Sequence, residues 1–198
     1  MWVALVAAAY LLGTFPSASI VARASGVDIT TVGSGNPGAS NVTRALGWRK
    51  GLVVFVLDAL KGAVATLAGL WIGGRAGGYV LGAAAILGHI FPVTRRFRGG
   101  KGVATGAGAL VVLHPVVAAV LAALWVGLSR LTGKAAVASI AVVVATPIGL
   151  ALAGVPAWEF VATLGVCALV AIRHAGNIRR LLHREEHTLS GQPARRVG

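Results

Sequence analysis

Long apolar stretches, broken by short polar or glycine-rich segments, set the plan of this chain. They cover roughly 2–22, 51–73, 77–93, 103–113, 115–129, 135–153 and 157–172. A helix that crosses a bilayer needs about 20 mostly apolar residues, and several of these runs approach that length. The run 103–113 is short, and His114 and Pro115 follow it at once, which marks a turn between two antiparallel segments. The pattern predicts an all-α polytopic membrane protein with about seven transmembrane segments, one of them short. Gly82, Gly106, Gly108 and Gly165 lie inside the runs, where small residues let membrane helices approach closely. No internal repeat is visible.

Basic residues orient these segments. With seven crossings and the N-terminus outside, Arg23, Arg44, Arg49, Lys50, Arg95, Arg96, Arg98, Lys101, Arg130, Lys134 and everything basic from Arg173 onward fall on the inner side. The outer loops then receive only Arg75, while Lys61 lies within the second span. Merging 103–129 into one crossing would move Arg130 and Lys134 outside, so the positive-inside tendency favours seven segments and a cytoplasmic C-terminus. No basic residue precedes the first apolar run, so a retained first helix is expected rather than cleavage near Ala22, Arg23 and Ala24. The expected organisation is one transmembrane domain over 1–182 and a basic cytoplasmic tail over 183–198, partly disordered near Gly191 and Pro193.

Composition agrees. The chain has 198 residues, 57% hydrophobic and 12% charged, where a soluble domain carries about 25% charged residues. The net charge of +13 is divided among short loops, which fits cytoplasmic loops and not a nucleic-acid surface. Cys167 is the single cysteine, so neither an intramolecular disulfide nor a cysteine metal site is expected. The histidines are scattered and the acids few, so no metal and no cofactor is expected.

Three polar blocks fall on the predicted inner side. In the first, Gly33, Ser34, Gly35, Asn36, Pro37 and Gly38 cannot continue a helix and predict a tight loop. Ser34, Asn36 and Asn41 supply neutral hydrogen-bonding groups there, and Arg44 offers a fork suited to phosphate. The second runs from Gly88 to Thr105. Gly99, Gly100 and Gly102 surround Lys101 just before an apolar helix, so their amides are expected to converge on an anion at the positive end of the helix dipole. The spacing is not that of a nucleotide-binding P-loop, since Val103 stands where Ser or Thr would be. His89 in this block is either structural or a proton carrier and substrate ligand. Arg95, Arg96 and Arg98 suit anionic lipid headgroups. The third block holds His174 and Asn177, which share a face if the last apolar helix continues. Asp58 and Lys61 share a face inside the second apolar run, where a central charge usually pairs or lines a cavity; pairing with each other and a place beside Lys101 are both open.

Together these blocks resemble the bacterial acyl-phosphate:glycerol-3-phosphate acyltransferases of the PlsY type. The resemblance rests on residues 33–41, 88–105 and 174–181, with Asp58, Lys61 and Gly62 in addition, in order and spacing over nearly the whole chain. Departures are Ser40 where threonine is common, Ala175 where arginine often follows the histidine, Ala136 in place of the first of two serines with Ser139 the second, and Arg184 where glycine is frequent before the acidic Glu186.

The resemblance implies transfer of a fatty acyl group from acyl phosphate to the 1-hydroxyl of glycerol 3-phosphate, giving 1-acylglycerol 3-phosphate and phosphate at the start of phospholipid synthesis. It implies a multi-pass enzyme of the bacterial plasma membrane, its site at the cytoplasmic face, coupled to the enzyme that makes acyl phosphate. His174, Lys101, Arg44 and Asn177 would be the catalytic group. Ser34, Asn36, Asn41, Lys61, His89, Gly99, Gly100, Gly102, Thr105 and Ser139 would bind the substrates. His174, His89 and a substrate phosphate oxygen all remain open as proton acceptor. The alternative from the residues alone is a small transporter of an anionic phosphate compound, which Asp58 and Lys61 would suit; against it, no inverted repeat is visible and the polar blocks lie on one side.

Overall fold

The computed structural model describes residues 1–190, and those residues contain helices and loops only. The tail expectation for Gly191 and Pro193 lies outside the described residues. The helices are α1 (Trp2–Gly13), α2 (Ser17–Arg23), α3 (Ala39–Leu46), α4 (Trp48–Ile90), α5 (Val103–Leu113), α6 (Pro115–Thr132), α7 (Ala135–Leu152), α8 (Ala157–Arg173) and α9 (Ala175–Leu182), with a 3₁₀ turn at Val93–Arg95 between α4 and α5.

Two of the predicted runs sit in α4, which is broken at Gly73 (φ −137°, ψ 24°) and Gly74 (φ 60°, ψ −157°). The second is a conformation that favours glycine. The chain doubles back there: Gly69 meets Gly77 and Thr66 meets Gly82, so closely that a Cβ on Gly69, Gly77 or Gly82 would overlap its neighbour. Asp58 on the first arm accordingly reaches His89 on the second. The first run is likewise not one helix, because Pro16 lacks the N–H that would carry α1 into α2.

The apolar helices run between two ends of the bundle. Trp2, the Gly73–Gly74 turn, His114 and Glu159 mark one end. Arg75 is the one basic side chain there among the described residues; the polar loops and the remaining basic side chains, Lys61 excepted, gather at the other. Four helical stretches are long and apolar enough to cross a bilayer: Trp2–Arg23, Trp48–Arg95, Pro115–Thr132 and Ala135–Leu152. Ala157–Arg173 with Ala175–Leu182, bent by 52°, makes a fifth. The doubled-back α4 contributes two arms, and α5 is the short segment.

Packing is that of a membrane bundle. The buried apolar set is rich in alanine, such as Ala22, Ala85 and Ala138, while Trp71, Leu131 and Leu152 are 91%, 85% and 85% exposed. Small residues inside allow close backbone approach, and large apolar side chains outside suit hydrocarbon. Gly62 and Gly108 bring α5 directly onto the first arm of α4, and Gly13 and Gly88 bring α1 onto the second. The Tyr10 hydroxyl then donates to the Phe91 carbonyl (2.7 Å) and accepts from the Val93 amide (3.1 Å), fixing the chain where it leaves α4 toward the glycine-rich loop.

Candidate active site at the basic end

The loop 91–102 folds back onto the end of α4. Gly99 N–H donates to the Ile90 carbonyl (3.1 Å) and Gly100 N–H to the His89 carbonyl (3.1 Å). The expectation that the amides of Gly99 and Gly100 face an anion is therefore corrected: both are spent holding the loop against the helix end. Gly100 must be glycine for a different reason, since a Cβ would enter the His89 ring. Gly102 caps α5 at φ 91°, a left-handed conformation, and a Cβ there would press on Ile90. Beyond it the first amides of α5 have no intrahelical partner, as at any helix start, and they lie beside Lys101.

Lys101 Nζ donates to Asn177 Oδ1, and Asn177 Nδ2 donates to Glu186 Oε1 at 3.0 Å. Arg180 Nε donates to Glu186 Oε2 at 3.0 Å. Burial pushes the Lys101 ammonium down to about 8, with Glu186 acting against the shift and Arg180, Arg44 and Arg173 adding to it. His174 is buried at the bend between α8 and α9, where its Nδ1 lies 2.8 Å from the Val170 carbonyl. Donation to that carbonyl leaves Nε2 with a free lone pair. The expected continuous helix through His174 and Asn177 is not present: α8 ends at Arg173 and α9 leaves at 52°. Both side chains are nonetheless buried at the same bend.

Arg44 on α3 joins through residues missed in the sequence. Its Nε donates to the Thr188 carbonyl at 3.0 Å, and Leu189 N–H donates to the Gly133 carbonyl at 2.7 Å. Residues 183–190 thus form a strap across the basic end, pinned by the buried Glu186. Burial lowers the Arg44 pKa, opposed by Glu186. Arg173 was also missed; its guanidinium donates to the Gly99 carbonyl (3.3 Å) and stands over the Phe91 ring. A run of arginines after an apolar helix reads as an orientation signal, which hid it.

In the loop 33–38, Asn41 is an organiser. Its Oδ1 accepts from Ser34 N–H (3.0 Å), and its Nδ2 donates to the Ile29 and Val32 carbonyls (3.1 and 3.0 Å). Both of its amide hydrogens are thus engaged in building the loop. Ser34 and Asn36 are half-buried on the loop this creates, with Ser34 Oγ accepting weakly from the Asn36 amide (3.4 Å).

Lys61 Nζ pairs with Asp58 Oδ1 at 2.8 Å and donates to the Phe15 carbonyl at 3.0 Å. The first of the two open readings of Lys61 therefore holds, and the lysine is tied inward below the loop. His89 is buried beside them, with Nδ1 3.7 Å from Asp58 Oδ1. Thr105 is wholly buried in the first turn of α5, where its carbonyl meets Gly62. Ser139 accepts from Trp125 Nε1 at 3.1 Å, a contact between α7 and α6 and not with Lys101 or Asn177. Among the described residues no three His, Cys, Asp or Glu side chains converge to hold a metal ion.

An outward-facing apolar bundle whose polar end gathers lysine, arginine and helix-start amides defines an integral membrane protein with a site for an anionic ligand. The family model described as glycerol-3-phosphate acyltransferase matches residues 3–184. A glycerol-3-phosphate acyltransferase of Aquifex aeolicus is 41% identical over 92% of this chain and 96% of its own length. One of Desulforudis audaxviator is 43% identical, covering 91% and 92%. The crystal structure of PlsY (YgiH), an integral membrane glycerol 3-phosphate acyltransferase, in its glycerol 3-phosphate form superposes with a TM-score of 0.89 at 39% identity, covering 94% of each chain. Its lysophosphatidic acid form gives 0.87. The chain belongs to the glycerol-3-phosphate acyltransferase family, enzymes of phospholipid synthesis.

Proposed function

We propose that this chain transfers a fatty acyl group from acyl phosphate to the 1-hydroxyl of glycerol 3-phosphate. The products are 1-acylglycerol 3-phosphate, a lysophosphatidic acid, and inorganic phosphate. The observation that carries this reading is the meeting of Lys101, at the free amides opening α5, with Asn177 beside His174 and Arg44. Two phosphates must be held there next to a greasy chain, and cations with convergent amides are suited to that task.

Lys101, Arg44 and Asn177 hold glycerol 3-phosphate, while Ser34, Asn36 and the amides from Gly102 into α5 hold the acyl-phosphate group. His174 Nε2 accepts the hydroxyl hydrogen bond. As the hydroxyl oxygen bonds to the acyl carbon, its proton passes to His174 and then to the departing phosphate, and the acyl carbon–phosphate oxygen bond breaks. Positioning supplies much of the rate, and the cations stabilise the developing charge. Acyl phosphate is already activated, so no covalent acyl-enzyme is needed.

The seven segments cross the plasma membrane with the N-terminus outside, placing the basic end in the cytoplasm by the positive-inside tendency. Residues 1–182 form the transmembrane acyltransferase domain and 183–198 its basic tail. The enzyme that makes acyl phosphate is the functional neighbour. Purified protein given palmitoyl phosphate and glycerol 3-phosphate is expected to release phosphate only when both are present. Lys101→Ala is expected to lose that release, and release from acyl phosphate alone would overturn the assignment.

A further inference from the structure

We propose that Asp58 is a positioning residue for the acyl transfer, acting through His89 to set the loop 99–102 that presents Lys101 and the amides of α5. This role presupposes the acyl-transfer reading above, because the loop is taken as the phosphate holder. Asp58, Lys61 and His89 are 2%, 4% and 4% exposed, at depths where an ion pair is costly. If mutual neutralisation were the whole role of Asp58 and Lys61, two apolar residues would serve as well.

The carboxylate does more than meet Lys61. The same Oδ1 that pairs with Lys61 at 2.8 Å also lies 3.7 Å from His89 Nδ1, on the opposite arm of α4. That nitrogen has no hydrogen-bond partner among the described residues, and the Asp58 carboxylate is the acid that faces it. The other edge of the ring, carrying Nε2, fills the space where a Gly100 side chain would stand. The His89 carbonyl takes the Gly100 amide, and Arg173 grips the Gly99 carbonyl from α8. Asp58, His89, Gly100 and Lys101 thus form one line of contacts from inside α4 to the mouth of the site. Arg95 and Arg173 are the other charged groups close to His89, and neither replaces the carboxylate. Lys61, held also by the Phe15 carbonyl, anchors Asp58 to the break between α1 and α2.

The test uses the full chain in detergent, measuring phosphate release, KM for glycerol 3-phosphate, kcat and thermal midpoint for four proteins. These are wild type, Asp58→Asn/Lys61→Met, His89→Leu and the triple variant. The double variant removes both members of the ion pair and is expected to melt near wild type, yet with KM raised at least about tenfold and kcat changed less; a misplacement of 1 Å costs on the order of 10²-fold. His89→Leu is expected to raise KM similarly, and the triple variant no further, because the two act in series. A folded double variant with wild-type KM overturns the proposal, as do effects that multiply in the triple variant. If the double variant does not fold, His89→Leu decides: a raised KM at unchanged thermal midpoint supports the role and a wild-type KM removes it. Wild-type release that needs both substrates shows that the acyl-transfer reading stands whichever way the variants fall. Its absence removes both.

Discussion

Lys101 is the residue whose charge state the site exposes to experiment. Burial pushes its ammonium down to about 8, so it is charged below that pH and neutral above it. The proposed phosphate binding needs the charged form, and kcat/KM reports the free enzyme. The value for glycerol 3-phosphate is therefore expected to bend downward around pH 8 and to approach a fall of about tenfold per unit well above it. Lys101→Arg keeps its charge throughout that range and is expected to abolish the alkaline fall, at a lower plateau because the planar fork meets Asn177 differently. A fall that persists in the arginine variant would assign it to another group. That Lys101, Arg44, His174 and Asn177 gather at one end was legible, since charged and amide side chains between apolar runs have few other uses. The direction of backbone amides was not. Gly99 and Gly100 look like anion ligands in sequence, and only the return of the loop onto Ile90 and His89 shows their N–H groups spent. The loop-building role of Asn41 was hidden for the same reason, because it depends on three backbone groups that claim its amide.

At the scale of elements, the end of α9 explains a departure visible in the sequence. Arg184 has φ 61°, Arg184 N–H donates to the Leu181 carbonyl (3.1 Å), and Glu185 N–H donates to the Arg180 carbonyl (2.8 Å). These are the paired bonds of a helix stop whose left-handed position usually holds glycine. A non-glycine residue there costs about 1 kcal/mol. Arg184→Gly is expected to raise the thermal midpoint by roughly 2–4 °C for a chain of this size. It should leave Glu186 on Asn177 and Arg180, with KM unchanged; a lower midpoint would show that the arginine side chain contributes more than its backbone strain. The long apolar helices were legible from the apolar runs, though the first run is split at Pro16, and the short α5 from His114 and Pro115. The bend at His174 was not, because no proline or glycine precedes it. Nor was the strap 183–190, whose polar composition reads as solvated tail while one buried carboxylate, Glu186, draws it down.

Across the whole molecule, the end away from the site is held by a second polar cluster that the apolar pattern conceals. Glu159 is fully buried in the first turn of α8 and accepts from Arg75 at both oxygens (2.5 and 2.6 Å) and from the Tyr79 hydroxyl (3.1 Å). His114 lies 2.8 Å from that hydroxyl and 3.2 Å from Glu159 Oε2, and Trp158 packs edge-on against Tyr79. The α4 turn, the start of α6 and the start of α8 are thus tied together where the chain carries almost no other charge. A transporter would need its site reachable from this end as well, and here three segments are fastened to one carboxylate. The cluster sits α5 and α8 lengths from Lys101 and His174, about 16 and 25 Å at 1.5 Å per residue. Its role is therefore expected to be stability without chemistry. Glu159→Gln removes the charge and one acceptor while keeping the shape. Arg75 is half-exposed and regains water, so the loss is moderate, about 1–3 kcal/mol, and the midpoint should drop by several degrees, roughly 2–12 °C. KM for glycerol 3-phosphate and kcat, measured well below that midpoint, should stay at wild-type values, the opposite signature to the Asp58 variants at the other end. A raised KM with an unshifted midpoint would mean that the two ends are mechanically coupled through α5 or α8, and the bundle would then be a lever rather than a rigid frame.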